Sequence, residues 1–209
     1  MTRRGAIGIV VACLMHGAAL AQSAEPYVEK STGFVFPAQI GKFHREEVVE
    51  YPDKRLGIKI RYEGRGRAEV FVYDFGFTEI STGIDSAAVK KAFADSKVGM
   101  ERLLTHPPAS NPAKALDASP VVNIEGGEHA KLLAALYTWT FTGSDGRSGP
   151  MASCILVTGA KNKIVKLLFT APSPDATSSQ ADLKEFVLAF LEANPKERGA
   201  FILEEKKAN

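Results

Sequence analysis

Leu56-Gly57-Ile58-Lys59-Ile60-Arg61-Tyr62-Glu63, a break at Gly64-Arg65-Gly66-Arg67, and then Glu69-Val70-Phe71-Val72-Tyr73-Asp74-Phe75-Gly76 decide the fold. In the first segment Leu56, Ile58, Ile60 and Tyr62 share one side, and Gly57, Lys59, Arg61 and Glu63 share the other. Period two with one polar face predicts a half-buried antiparallel strand. The glycines predict a turn. The second segment, Glu69 to Phe75, is apolar on both faces, with Val70 and Val72 on one and Phe71, Tyr73 and Phe75 on the other. It predicts a central strand covered from both sides. Its aromatic stripe reads as core packing.

Upstream, Phe43 to Tyr51 predicts another strand, Phe34 to Ile40 an extended lead-in, and residues 22–33 a flexible polar segment. Downstream, Asp85 or Ser86 can cap a helix running to about Leu104. Val89, Phe93, Ser96, Met100 and Leu103 recur at helical spacing and predict its buried stripe. Strands then dominate. Pro120 to Ile124 is short, Gly126-Gly127 marks a turn, and Lys131 to Thr142 is long. Gly143-Ser144-Asp145-Gly146 predicts a hairpin. Met151 to Thr158 and Lys163 to Thr170 flank a second hairpin at Gly159-Ala160-Lys161-Asn162. Prolines 172 and 174 should stop the sheet.

A final helix is expected from Ser179 and Asp182, set at capping-box spacing, through Leu183, Phe186, Val187, Phe190 and Leu191. Asn194-Pro195 should end it, with Phe201-Ile202-Leu203 as an edge strand. The expected fold class is α+β: a single domain over residues 34–209, a mostly antiparallel sheet packed by two main helices.

The N-terminus predicts export. Arg3 and Arg4 precede a small and apolar run that closes at Ala19-Leu20-Ala21, an A-x-A site followed by polar Gln22-Ser23. Residues 1–21 therefore read as a signal peptide cleaved after Ala21, giving a periplasmic protein. The run is interrupted at His16-Gly17 and is shorter than the ~20 residues a spanning helix needs. No transmembrane segment is expected after cleavage. Two rival export readings exist. Val10-Val11-Ala12-Cys13 resembles a lipobox, which would anchor a lipoprotein through Cys13, and Thr2-Arg3-Arg4 resembles the start of a twin-arginine signal.

Charge excludes one partner class. The chain has 26 basic and 24 acidic residues, and loss of Arg3 and Arg4 leaves 24 of each. A neutral domain has no electrostatic footprint for a polyanionic partner, whether nucleic acid or anionic lipid. The two cysteines are Cys13 and Cys154, so cleavage leaves Cys154 alone and forbids an internal disulfide. Cys154 is expected to be a small buried strand residue.

No motif carries recognisable chemistry. His44, His106 and His129 lie on different elements. Glu125, Glu128 and His129 form the best local metal cluster, yet solvated turn polarity explains them equally well. No serine stands in a G-x-S-x-G elbow. Gly64-Arg65-Gly66 leads into a strand, so no helix N-terminus is there to receive a phosphate. No catalytic, cofactor-binding or metal residue is assigned, and no cofactor is expected. The irregular 105–118 stretch, with Pro107, Pro108, Pro112 and His106, is where a hydrolase site would sit.

The 56–63 and 69–76 segments resemble a group of exported bacterial proteins. The order of elements over roughly 34–193 looks like the Mog1/PsbP class, a sheet sandwiched by helices. That class hosts assembly factors, binding modules and accessory subunits, so the resemblance implies a fold and no site. The reading that follows is a non-enzymatic periplasmic accessory or binding protein, with a protein or small-molecule partner in the cell envelope. Alternatives are a periplasmic hydrolase near 105–118 and an envelope lipoprotein.

Overall fold

The computed structural model describes residues 25–105, 114–115, 122–124, 128–142, 145–172, 176–197 and 202–203. In chain order the first elements are β1 (Tyr27–Val28), β2 (Val35–Phe36), β3 (Gln39–Ile40), β4 (Phe43–Glu50), β5 (Ile58–Glu63), β6 (Arg67–Tyr73) and α1 (Ala87–Thr105). Then come β7 (Lys114–Ala115), β8 (Val122–Ile124), β9 (Glu128–Ala130), β10 (Leu133–Thr142), β11 (Ser148–Ala160), β12 (Lys163–Pro172), α2 (Ala176–Ala193) and β13 (Ile202–Leu203).

The main sheet has eight strands in the order β3-β4-β5-β6-β12-β11-β10-β7, and every adjacent pair is antiparallel. After β6 the chain leaves through α1, touches the far edge of the sheet at β7, and returns to it by β10. The β10–β11–β12 meander then folds back until β12 lies beside β6. A small second sheet has the order β13-β9-β8, so Ile202–Leu203 is an edge strand, as expected.

One helix covers each face. On the α2 side Ile58, Ile60, Tyr62, Val70, Val72 and Phe169 are buried with Phe186 and Phe190. Phe186 stands edge-on to Phe43 at 5.4 Å and to Tyr62 at 5.4 Å, a favoured aromatic geometry. On the other face α1 buries Val89, Ala92, Phe93, Met100 and Leu104 against Tyr73, Tyr137, Ile155 and Val157. This is the α+β sandwich expected from the alternation, with β6 and β12 covered on both sides.

Local chemistry shifts several boundaries. Leu56 does not join the strand face. It closes a 3-10 turn capped by Asp53, is exposed, and is followed by Gly57 at φ 61°, where the turn ends. Phe75 likewise leaves its strand. The Asp74 carboxylate accepts from the Gly76 amide at 2.7 Å, an Asx turn, and Phe75 takes φ 52° and lies exposed. The α1 stripe ends on Leu104, not Leu103, which is 69% exposed. Ser86 caps α1 by accepting from the Val89 amide at 3.2 Å. The α2 helix begins upstream of Ser179, which places Asp182 inside it, where it pairs with Arg65 at 3.6 Å.

Residues 25–33 carry more structure than their polar composition suggests. β1 pairs with β2, and the loop between them closes on Glu29. The Glu29 carboxylate accepts from the amides of Ser31 (3.0 Å) and Thr32 (2.7 Å) and from both hydroxyls. Arg45 donates to the carbonyls of Phe36 and Glu25, which ties the hairpin to β4. Asn194, just past α2, clamps it from below. Its Oδ1 accepts from the Val35 amide at 2.8 Å, and its Nδ2 donates to the carbonyls of Val35 and Phe190, each at 2.9 Å.

The β11–β12 hairpin turns on Lys161 and Asn162, both at positive φ (51° and 58°), the geometry of a two-residue primed turn. Among the described residues no helix is long and apolar enough to cross a membrane. Residues 1–21, with Cys13 and the cleavage site, lie outside the described residues.

Candidate functional site

The α1 face of the sheet divides into two regions by residue type. Register puts Leu133, Val157, Lys166, Phe71 and Lys59 in one cross-strand row, and Ala135, Ile155, Leu168, Glu69 and Arg61 in the next. The apolar end of these rows lies under α1. The charged end carries a lattice in which Lys59 meets Glu47 at 3.1 Å and Glu69 at 3.9 Å, Arg61 meets Glu47 at 3.4 Å, and Arg67 meets Glu63 at 2.7 Å. Its charges cancel locally, so this half-face is a poor platform for a charged ligand.

At the seam α1 stands off the sheet and leaves a groove of about 290 Å³. Its floor is Tyr73, Ile155 and Leu168, its helical wall Ala92, Ser96, Gly99 and Met100, and its rim Phe75 and Leu103. Both rim side chains are exposed. Gly99 keeps the wall open, since a Cβ built there meets nothing within 4 Å.

One half-buried charge lines this apolar setting. The Lys166 ammonium lies 4.1 Å from the Phe71 ring centroid and 5.9 Å from that of Tyr73. Burial pushes it below the usual lysine range, and the Glu69 carboxylate pulls the other way. Among the described residues it makes no hydrogen bond or ion pair. Two other polar side chains of the groove are committed. Asp95 pairs with Lys91 at 2.8 Å, and the Ser96 hydroxyl donates to the Ala92 carbonyl at 2.7 Å.

No family model matches this chain. No curated protein matches it either. Among the solved structures it is similar to are two bacterial ones. One, from Bacteroides thetaiotaomicron VPI-5482, is 13% identical at a TM-score of 0.37, over 90% of this chain and 51% of that one. This chain therefore spans about half the length of that protein. The other, protein Ms6760 of Mycobacterium smegmatis, is 11% identical at a TM-score of 0.21, over 75% of this chain and 96% of that one. At these values neither carries a residue role across.

The residues weighed from sequence are scattered. Cys154 is buried in the middle of β11, and burial pushes its thiol up to about 12. The thiolate, the reactive form, is thereby suppressed. His44 is exposed on β4. The backbones of Glu128 and His129 lie in β9, while Glu125, Gly126 and Gly127 lie outside the described residues. Among the described residues no three His, Cys, Asp or Glu side chains gather as a metal site. Of the 105–118 stretch, Thr105 closes α1, and β7 pairs with Tyr137 and Thr138 of β10. His106 and its prolines are outside the described residues. Ser148 opens β11, its hydroxyl 3.0 Å from that of Thr142. Ser153 accepts from the Trp139 indole at 3.1 Å and shares a hydrogen bond with Thr170, which holds three strands in register without activating a nucleophile.

Sequence reasoning passed over Lys166 and Gly99. Each left a signal. Lys166 is the lone charge inside Ile164-Val165-Lys166-Leu167-Leu168-Phe169, and Gly99 is an unforced glycine in a helix.

Proposed function

We propose that this chain is exported to the cell envelope and acts there as a non-enzymatic accessory or binding protein, through the groove between α1 and the sheet. The observation that carries the reading is the groove itself: an apolar floor, an open helical wall, exposed Phe75 and Leu103 at the rim, and the half-buried Lys166 ammonium, which makes no direct ion pair among the described residues. Its volume is near the lower end of small-molecule pockets, roughly 300–1,000 Å³. Isolated exposed apolar residues are ordinary, but Phe75 and Leu103 flank the mouth of one cavity.

Support for export comes from the 1–21 pattern, with cleavage after Ala21 and release to the periplasm. The layout we assign is that of the Mog1/PsbP class, in which a sheet presents one face to each helix.

Two measurements test the proposal. Intact mass of protein from an envelope fraction should give a chain beginning at Gln22. A chain that retains Met1, or begins at an acylated Cys13, overturns the export route. For the groove, the neutral dye N-phenyl-1-naphthylamine should brighten on binding. Gly99→Leu, which fills the groove, should weaken that binding tenfold or more while the far-ultraviolet spectrum is unchanged. Equal dye binding by both proteins removes the groove as the site.

A further inference from the structure

We infer that the groove takes an anionic amphiphile, whose acid group seats on the Lys166 ammonium and whose apolar chain lies along Tyr73, Ile155, Leu168 and Met100. This rests on the groove being the binding site, and it adds the chemistry of the ligand.

The argument is one of charge. Lys166 is half-buried, and an ammonium drawn part-way out of water gains from a counter-charge. Lys166 has two aromatic faces, which supply part of that gain and no hydrogen bond. The acids that face it are shared with other lysines, and Glu69 acts on Lys166 without a direct ion pair. From the sheet, Glu69 lies 3.9 Å from Lys59, and from the helix, Asp95 is held by Lys91 at 2.8 Å. On the same helix, the Lys97 ammonium lies over the Phe93 ring at 5.3 Å. Lys166 is left as a lining cation with no direct ion pair among the described residues.

Each simpler occupant fails on one side. A small inorganic anion would meet the charge and leave the apolar walls wet. A neutral apolar molecule would cover the walls and bury the ammonium without a partner. A molecule with an acid head and an apolar tail satisfies both, with charge-assisted contact at the head. The volume suits a chain of medium length, and longer tails would leave past Phe75 and Leu103.

The test uses the full chain and three probes of one tail length: decanoate, decanol and decyltrimethylammonium. By titration calorimetry, decanoate should bind at least tenfold more tightly than decanol, and the cationic probe more weakly than either. Lys166→Met should bring decanoate down to the decanol value, and Lys166→Arg should keep the preference. Equal binding of decanoate and decanol by the wild-type chain overturns the acid-head inference and leaves the groove standing. Failure of both to bind overturns the groove reading as well. The wild-type comparison decides the matter whether or not the variants fold.

Discussion

Asn194→Ala should destabilise the fold by about 3 kcal/mol, although Asn194 touches no part of the groove. Its side-chain amide makes three hydrogen bonds, one from the Val35 amide and one each to the carbonyls of Val35 and Phe190. Asn194 is buried, so truncation strips the Val35 amide and carbonyl of their side-chain partner and removes one donor from the Phe190 carbonyl. Each net hydrogen bond contributes about 1 kcal/mol, and a stranded buried group costs about 1–3 kcal/mol. The hairpin cannot detach cheaply to find water, because Phe34 and Phe36 flank Val35 and are both fully buried. Urea unfolding followed by circular dichroism measures the loss, which corresponds to a melting shift of roughly 6–12 °C for a chain of this size. Asn194→Asp keeps the acceptor for the Val35 amide but turns an oxygen toward two carbonyls. Its deficit should shrink toward pH 4, where a protonated acid regains a donor. A loss under about 1 kcal/mol for Asn194→Ala, with unchanged denaturant slope, would refute the reasoning.

Three further outcomes are expected. Gly99→Ala should raise stability by about 1 kcal/mol, since an exposed helical glycine gains propensity and the new methyl meets nothing, and thermal melting reads the gain directly. Burial alone would raise the Glu29 carboxyl, but its bonds from Ser31 and Thr32 outweigh that and hold it below the usual range. Stability from Glu29 is therefore present above the unfolded value of about 4.3 and lost as pH falls through the folded value, so Glu29→Gln should flatten the acid limb of a pH–stability curve. Cys154 should react with Ellman's reagent at pH 8 roughly 10³-fold more slowly in the folded protein than in urea, because both burial and a raised pKa suppress its thiolate. Equal rates would show that β11 opens readily.

Strands were legible wherever one face was polar, because a period of two leaves the chain only one way to lie. Ile58, Ile60 and Tyr62 went inward and Lys59 and Arg61 outward for that reason. Period alone could not say where the pattern stops. Leu56 and Phe75 continue the alternation on paper, but Asp53 and Asp74 accept from nearby backbone amides and turn the chain away. The hairpin at 27–36 was illegible because its clamps, Arg45 and Asn194, are distant in sequence. The groove was hidden for the same reason. Lys166, Tyr73 and Gly99 become neighbours of one cavity only after β12 lies beside β6 and α1 crosses above them.

The position of β12 next to β6 also sets an order in time. The partners of Arg67–Tyr73 on that side are Ile164 to Thr170, supplied only when almost the whole chain is available. A chain delivered N-terminus first can form β4, β5 and β6 early, yet it must hold the free edge of β6 open until the last strand of the meander arrives. Pairings this distant in sequence close slowly, and an open apolar edge is where neighbouring chains meet. Keeping the chain extended until residue 172 has emerged would spare it that interval, so delivery in an unfolded state suits this topology better than folding as it is made.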